Sequence, residues 1–366
     1  MAGGIHPPTS VIASWPPSGQ SSQIHSNGVL AVTAVFGPLA IFTIFTRLWA
    51  RFMLQRQGKL DDWIMLAAVV PLLGLLIAIP LATQRYGFRC HVWNLSTTKL
   101  ISQRKLVMAI EVSYVWATGF IKMSVLLFYR RLDLHFIHRL YVVIVWVGLA
   151  SVLLSTLAFT LVIFLSCRPL SAFWYQVDPA WIKAGHTYNC YNEPAHLLVF
   201  SAIGTFHDIM ATTLPVFLCW NLQLPFSRKV ALNSIFVVGY VVCLVSGLRI
   251  YAIYRVFYAS YDVPWETWYV LLWTILEVLI AAICANLPAC RIFITHYTER
   301  HLRGFHPNIW QRRSERAIAP GLDDNKETTE TSGREMCPLP DLYTMYQRGI
   351  ELTELETFPS CSISRR

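Results

Sequence analysis

The chain has 366 residues, of which 55% are hydrophobic and only 14% are charged, and its mean hydropathy is +0.45. Soluble domains carry about 25% charged residues, so much of this chain must face something other than water. Lys and Arg outnumber Asp and Glu by 30 to 21, but the excess lies in the connections between apolar segments. That distribution indicates membrane topology and argues against nucleic-acid binding.

Seven apolar stretches are long enough to cross a bilayer, since a helix needs about 20 residues to span about 30 Å of hydrocarbon. At this length only helices satisfy their own backbone groups in lipid. We therefore predict an all-α membrane protein, with a short outer segment at 1–27, a seven-transmembrane helix bundle at 28–297 and a tail at 298–366. The predicted spans are 28–46, 63–83, 106–129, 141–166, 197–219, 230–253 and 268–290.

Basic residues predict the orientation, because cytoplasmic connections carry an excess of Lys and Arg. The first 27 residues contain neither, so we expect the N-terminus outside and the tail in the cytoplasm. The basic loop at 84–105 opposes this pattern, and the sequence does not distinguish the plasma membrane from an endomembrane. The bases on the predicted inner side are Arg47, Arg51, Arg56 and Lys59, then Arg130, Arg131 and Arg139, then Arg228 and Lys229, and finally Arg291, Arg300 and Arg303.

Three cysteines fall in the predicted outer loops, where disulfides persist. Cys167 and Cys190 stand at the two ends of the second outer loop and would close it, but Cys90 is an equally available partner. Asn94 begins an Asn-Leu-Ser tripeptide on the same side and is a predicted glycosylation site. No C-x-x-C pair occurs and the histidines are scattered, so we expect no metal site.

The residues after about 298 mix charges with Pro, Ser and Thr. Such a composition cannot bury enough apolar area to offset the entropy of ordering. We therefore expect a disordered cytoplasmic tail that offers a contact surface to cytoplasmic proteins.

Five ionisable residues lie inside the predicted spans: Glu111, Lys122, Asp208, Arg249 and Glu277. A charge at the centre of a span costs about 2.5–3.5 kcal/mol, so each needs a partner, a cavity or a purpose. A rise of about 1.5 Å per residue brings Asp208 to the depth of Lys122, and Arg249 to that of Glu111 or Glu277. Such pairs either hold helices together or form a polar pocket, and the sequence leaves both interpretations open.

The functional hypothesis is a polar pocket in the outer half of the bundle. Three acids against two bases leave one carboxylate unpaired, and a desolvated carboxylate keeps its proton more readily. Glu111, Asp208 and Glu277 are therefore candidate acids for an acid–base step, although no catalytic motif is established. The candidate ligand-binding residues are Glu111, Tyr114, Lys122, Asp208, Arg249, Trp273 and Glu277, with Trp116 and Tyr269 as further aromatic candidates. His207 should point to another face from Asp208 and serve in packing.

Several short motifs follow one another along the chain. They are Arg47 and Arg51 before Asp61-Asp62-Trp63, Tyr86-Gly87 with His91 and Trp93, the run Lys122-Met123-Ser124 through Tyr129, Cys167-Arg168-Pro169 with Trp174 and Cys190, Asp208 with Leu214-Pro215, Arg249, Trp273 with Glu277, and Leu287-Pro288. Over about 40–295 the chain resembles the fungal rhodopsin-like integral membrane proteins, the group that includes appressorial surface receptors and the satratoxin-cluster membrane protein. It departs from that pattern at Arg89 and Cys90, at Phe217 and at Asn286.

The resemblance implies a receptor-like protein or a protein of secondary metabolism. We expect an accessory in fungal secondary-metabolite biosynthesis that binds or handles an apolar small molecule within the bundle. The alternative is a G-protein-coupled-receptor-like surface sensor, and a transporter is less favoured because no duplicated half is visible. A retinal protein needs a Schiff-base Lys in its last span, and 268–290 contains none. We therefore expect no retinal and no other cofactor.

Overall fold

The computed structural model describes residues 7–17, 23–54, 56, 58–130, 139–220 and 226–305. Within these ranges seven helices are long and apolar enough to cross a membrane, which confirms the predicted seven-transmembrane helix bundle. They are α1 (Gly28–Trp49), α2 (Leu60–Arg85), α3 (Thr97–Arg130), α4 (Arg139–Phe164), α5 (Glu193–Trp220), α6 (Phe226–Tyr254) and α7 (Val263–Phe305).

Several helices extend beyond the predicted spans, because apolar composition ends before the helical backbone does. The α3 helix begins at Thr97 rather than at 106, so Arg104 of the predicted outer loop is part of a helix. The α7 helix continues to Phe305, past the predicted start of the tail at 298. Residues 306–366, which hold most of the predicted disordered tail, lie outside the described residues.

The seven helices form a closed ring in which α7 packs against both α6 and α1. The α3 helix also contacts α5 and α7 across the ring, so it supplies the interior of the bundle. The largest core cluster joins Leu72 and Leu75 of α2 to Ile275 and Leu279 of α7, all fully buried. The outward faces carry large apolar side chains, such as Val70 with 74% of its surface exposed. A packed interior together with exposed apolar side chains on the outer faces suits a helix bundle surrounded by lipid.

A folded cap lies between α4 and α5. Two short strands, β1 (Cys167–Arg168) and β2 (Asn189–Cys190), pair antiparallel with Cys167 opposite Cys190. These two cysteines form a disulfide with their Cα atoms 4.1 Å apart, which confirms this predicted pairing. We refer to the end of the bundle that carries this bond as the disulfide end.

Two other predictions concern the disulfide end. Cys90 is free and half-buried, so the alternative pairing is not formed. Asn94 ends a 3₁₀ turn at Val92–Asn94 and is also half-buried. Its glycosylation stays a prediction.

A buried ion cluster joins three helices at the opposite end. Arg47 of α1 lies 2.9 Å from Asp61 and 3.2 Å from Asp62 of α2, and it donates to the backbone oxygen of Ala285 on α7 at 3.2 Å. Arg47 is only 1% exposed. The sequence placed this residue in a solvated connection, but its two carboxylate partners allow it to lie inside the bundle.

Candidate functional site

The first predicted ion pair lies in the interior of the bundle. Lys122 Nζ of α3 is 3.0 Å from Asp208 Oδ1 of α5 and donates to the backbone oxygen of Gly204 at 2.8 Å. Ser246 of α6 donates its hydroxyl to Asp208 Oδ2 at 3.1 Å. The predicted pairing of Asp208 with Lys122 is confirmed, and it joins α3, α5 and α6.

A second pair joins α3, α6 and α7. Arg249 Nε lies 3.0 Å from Glu277 Oε2, at an angle that forms an ion pair without a hydrogen bond. Tyr114 donates its hydroxyl to Glu277 Oε1 at 2.6 Å, and the guanidinium carbon of Arg249 lies 4.4 Å from the centre of the Tyr114 ring. The predicted depths left Glu111 and Glu277 as alternative partners of Arg249, and in the structure Arg249 pairs with Glu277.

His207 contacts α4 and not the Lys122–Asp208 pair directly. Its Nε2 lies 2.9 Å from the hydroxyl oxygen of Ser151 on α4, and the residue is buried. This contact joins α5 to α4, and the packing role of His207 stays a prediction.

A cavity of about 520 Å³ lies between these ion pairs and the disulfide end, chiefly among α3, α5, α6 and α7. Most of its wall is apolar, and a smaller number of polar side chains interrupt it. Apolar wall residues include Val107, Ile110, Leu197, Phe200, Ile253 and Val270. The polar wall residues of the membrane helices include Arg104, Glu111, Tyr114, Glu193, His196, Ser201 and Arg249.

Three side chains on this wall carry buried polar atoms with no hydrogen-bond partner in the described part of the chain. These atoms are Nη2 of Arg249, Oγ of Ser201 and Nε2 of His196. A buried donor or acceptor left unsatisfied costs about 1–3 kcal/mol. All three atoms belong to residues that line one cavity.

Sequence reasoning missed an ion pair near the disulfide end. Arg104 of α3 donates to both carboxylate oxygens of Glu193 on α5, at 2.8 and 2.7 Å. Hydropathy placed both residues in loops, although the pair neutralises both charges and lies at the starts of two helices. The spacing of Arg104, Val107, Glu111 and Tyr114 puts them on one face of α3. That spacing was the signal that could have placed Arg104 in the pocket.

The candidate acids differ in what they contact. Asp208 and Glu277 are held in ion pairs, and neither lines the cavity. Glu111 does line the cavity, and it makes no ion pair or hydrogen bond among the residues that the structure describes. It is the carboxylate that the count of acids and bases left over.

The aromatic candidates divide in the same way. Tyr114 lines the cavity, whereas Trp273, Trp116 and Tyr269 do not. Trp116 packs against Phe120 with ring centres 5.2 Å apart. Trp273 is half-buried outside the cavity wall, so aromatic character and depth did not suffice to identify the wall.

The segment before α1 reaches the mouth of the cavity. A short helix, Thr9–Ala13, brings Ile12 to the wall, and Pro7 and Trp15 also line it. The segment is anchored by backbone pairing, because the amide of His25 donates to the backbone oxygen of Arg89 at 3.0 Å. Residues before the first span thus contribute to the cavity, which composition alone did not predict.

Two histidines stack with tryptophans beside this mouth. The centre of the His25 ring lies 3.6 Å from the ring centre of Trp265 and 4.4 Å from that of Trp268. Burial lowers the pKa of His25. His91 stacks on the other side of Trp265 at 3.9 Å, and its Nδ1 lies 2.5 Å from Asp262 Oδ2. These contacts fix the N-terminal segment against the loop before α3 and the start of α7.

Comparison with known proteins agrees with the motifs. The family model described as "Fungal rhodopsin domain" matches residues 46–296, which is more than half of the chain. The region of resemblance predicted from the motifs, about 40–295, coincides closely with that match.

Three curated relatives are similar at about a quarter identity. Receptor GIN3 of Arthrobotrys oligospora is 24% identical over 75% of this chain and 64% of its own length. A SAT4 family membrane protein of Emericella nidulans is 25% identical over 60% of this chain and 53% of its own. The polyenoic acids biosynthesis gene cluster protein Ba17b of Metarhizium anisopliae is 24% identical over 56% of this chain and 54% of its own length. The chain thus spans between about half and two thirds of these relatives, and no solved structure matches.

Proposed function

The chain belongs to the fungal rhodopsin domain family, and we propose that it binds an apolar small molecule in the cavity at the disulfide end of its helix bundle. In this role it serves as an accessory in fungal secondary-metabolite biosynthesis. The name of one relative, a polyenoic acids biosynthesis gene cluster protein, supports the metabolic setting.

The composition of the cavity wall carries the proposal. A volume of about 520 Å³ lies within the range of about 300–1,000 Å³ typical of small-molecule sites, which are mostly apolar with a few polar groups. The unpartnered atoms of Arg249, Ser201 and His196 are such polar groups. A ligand oxygen that accepts a hydrogen bond from Arg249 Nη2 would satisfy a buried donor while its apolar body fills the remainder.

Filling the cavity should abolish binding. We expect the diterpenoid alcohol dehydroabietinol to raise the melting temperature of the full-length protein in phosphatidylcholine nanodiscs, because a ligand stabilises the folded state that binds it. Val107→Trp places an indole at the cavity wall and should weaken the fitted affinity by about tenfold or more.

Val70→Trp is the matched control, because Val70 is 74% exposed on the outer face of α2. It should keep the wild-type affinity. Equal affinity in the wild type and Val107→Trp would contradict binding in this cavity, and no shift with any variant would contradict binding of this ligand class.

A surface sensor is the second candidate, and the position of Arg249 favours it. Arg249 both lines the cavity and pairs with Glu277 between α6 and α7, so a ligand group on Arg249 would compete for the contact between these helices. One relative is named a receptor. Gene deletion separates the two functions: an accessory changes the metabolite profile, whereas a sensor changes the transcriptional response to an added compound and leaves that profile intact.

We also propose that the disulfide end faces outside and the tail lies in the cytoplasm. The basic loop at 84–105 opposed this orientation, but Arg104 is paired with Glu193 in the structure and adds no net charge there. A reporter fused after Arg316 should be cytoplasmic, and one inserted at Gln20 should be outside; both positions lie outside the described residues. A tail reporter on the side opposite the cytoplasm would overturn the orientation.

A further inference from the structure

The buried charges of the bundle interior do not balance between the ion pairs and the disulfide end. Each of three bases there has one carboxylate partner: Arg104 has Glu193, Lys122 has Asp208, and Arg249 has Glu277. The cavity wall holds a fourth carboxylate, that of Glu111. Within the described residues it has no ion pair and no hydrogen bond.

Arg104 pairs with Glu193 and not with Glu111. It lies two helical turns before Glu111 on the same face of α3, so it attracts the carboxylate at longer range, whereas the nearby Glu193 repels it more strongly. Both of its Nη atoms, however, donate to Glu193, at 2.8 and 2.7 Å, and its Nε donates to the backbone oxygen of Phe173 at 3.3 Å. Three of the five N–H donors of this guanidinium are therefore used by groups other than Glu111.

We propose that the cavity takes a hydrophobic amine, whose ammonium group pairs with the Glu111 carboxylate. This inference rests on the proposed function, and it adds the chemical class of the ligand. An aromatic ring on the same wall, Phe200, supports it, since aromatic faces attract cations. One face of the neighbouring Tyr114, whose ring centre lies 5.7 Å from that of Phe200, already carries the Arg249 guanidinium. The apolar body of the amine lies against the wall residues of α5, α6 and α7.

The same charges disfavour a carboxylic acid of equal shape. Its carboxylate would enter a cavity in which Arg104 and Arg249 already have acidic partners, while Glu111 would repel it. An alcohol of the same shape meets neither the attraction nor the repulsion. Charge-assisted hydrogen bonds are about twice as strong as neutral ones, so the amine should bind most tightly, the alcohol less tightly and the acid least.

Three probes with one diterpenoid skeleton test this order: dehydroabietylamine, dehydroabietinol and dehydroabietic acid. Affinities are taken from the melting temperature of the full-length protein in uncharged phosphatidylcholine nanodiscs. The amine should bind the wild type about tenfold or more tightly than the alcohol. Glu111→Gln should lower the affinity for the amine to about that for the alcohol, and the melting temperature of the variant without ligand shows that it is folded.

Glu266→Gln is the matched control, because Glu266 is a buried carboxylate of α7 that does not line the cavity. It should leave the preference for the amine unchanged. Partition of each probe into lipid is the same for all variants, so it cancels when the variants are compared with one another for the same probe.

The outcomes separate the two proposals. If none of the three probes shifts the wild-type melting temperature, the proposed function fails and the inference fails with it. If the alcohol binds but the amine has no advantage, or if the advantage survives Glu111→Gln, the proposed function stands and the amine class is overturned.

Discussion

Replacing Arg47 by Met is expected to destabilise the protein by about 3–5 kcal/mol, the usual cost of breaking a buried ion pair by removing one partner. The substitution keeps much of the aliphatic volume but withdraws the guanidinium from the carboxylates of Asp61 and Asp62, which are 3% and 0% exposed. It also removes the hydrogen bond to the backbone of Ala285 that joins α1 to α7. Unfolding of the purified protein in one detergent would measure the loss.

Arg85→Met provides the matched control, because Arg85 is an exposed residue in the last turn of α2. Its replacement should change the stability by about 0.5 kcal/mol or less. If Arg47→Met and Arg85→Met unfolded at the same denaturant concentration, the cluster at the opposite end would not stabilise the bundle.

The parts of the fold that depend on composition along the chain could be predicted. Seven spans follow from apolar length, since each helix must be long enough to cross the membrane by itself. The pairing of Asp208 with Lys122 follows from depth alone, because helices of known direction place residues at calculable heights. The disulfide was narrowed to Cys167 with Cys190 or a pairing with Cys90, and geometry then decided it.

The parts that depend on cancellation between distant groups could not be predicted. Arg104 and Glu193 each look too polar for a membrane helix, yet together they form a bidentate pair between α3 and α5. Arg47 was assigned to a connection for the same reason, although Asp61 and Asp62 neutralise it inside the bundle. A hydropathy scale assigns a transfer free energy to each residue separately. The free energy of burying a charged residue in an ion pair depends on both partners together.

The cavity could not be predicted from the sequence, for a different reason. Its wall combines α3, α5, α6 and α7 with Ile12 and Trp15 of the N-terminal segment. Which side chains fill a space and which leave it open depends on contacts between residues far apart in the chain. Glu111 illustrates both limits, since counting acids predicted a leftover carboxylate but did not identify which of the three it was.

The Lys122–Asp208 pair should behave as a coupled unit in a double-mutant cycle. Lys122→Met and Asp208→Asn should each lower the stability by about 3–5 kcal/mol, because each leaves one buried charge without its partner at 3.0 Å. The double variant removes both charges and should recover much of the loss. Part of it should remain, since Lys122 also donates to the backbone oxygen of Gly204, which Met cannot do.

The double variant also separates stability from ligand binding. Neither Lys122 nor Asp208 lines the cavity of about 520 Å³, and removing both leaves the net charge beneath it unchanged. We therefore expect the folded double variant to bind dehydroabietinol within about threefold of the wild-type affinity, in keeping with small coupling between groups that share no contact. If the double variant is as stable as the wild type but no longer binds the alcohol, the pair takes part in ligand binding. If it binds normally, the pair holds α3, α5 and α6 together and takes no part in recognition of the ligand.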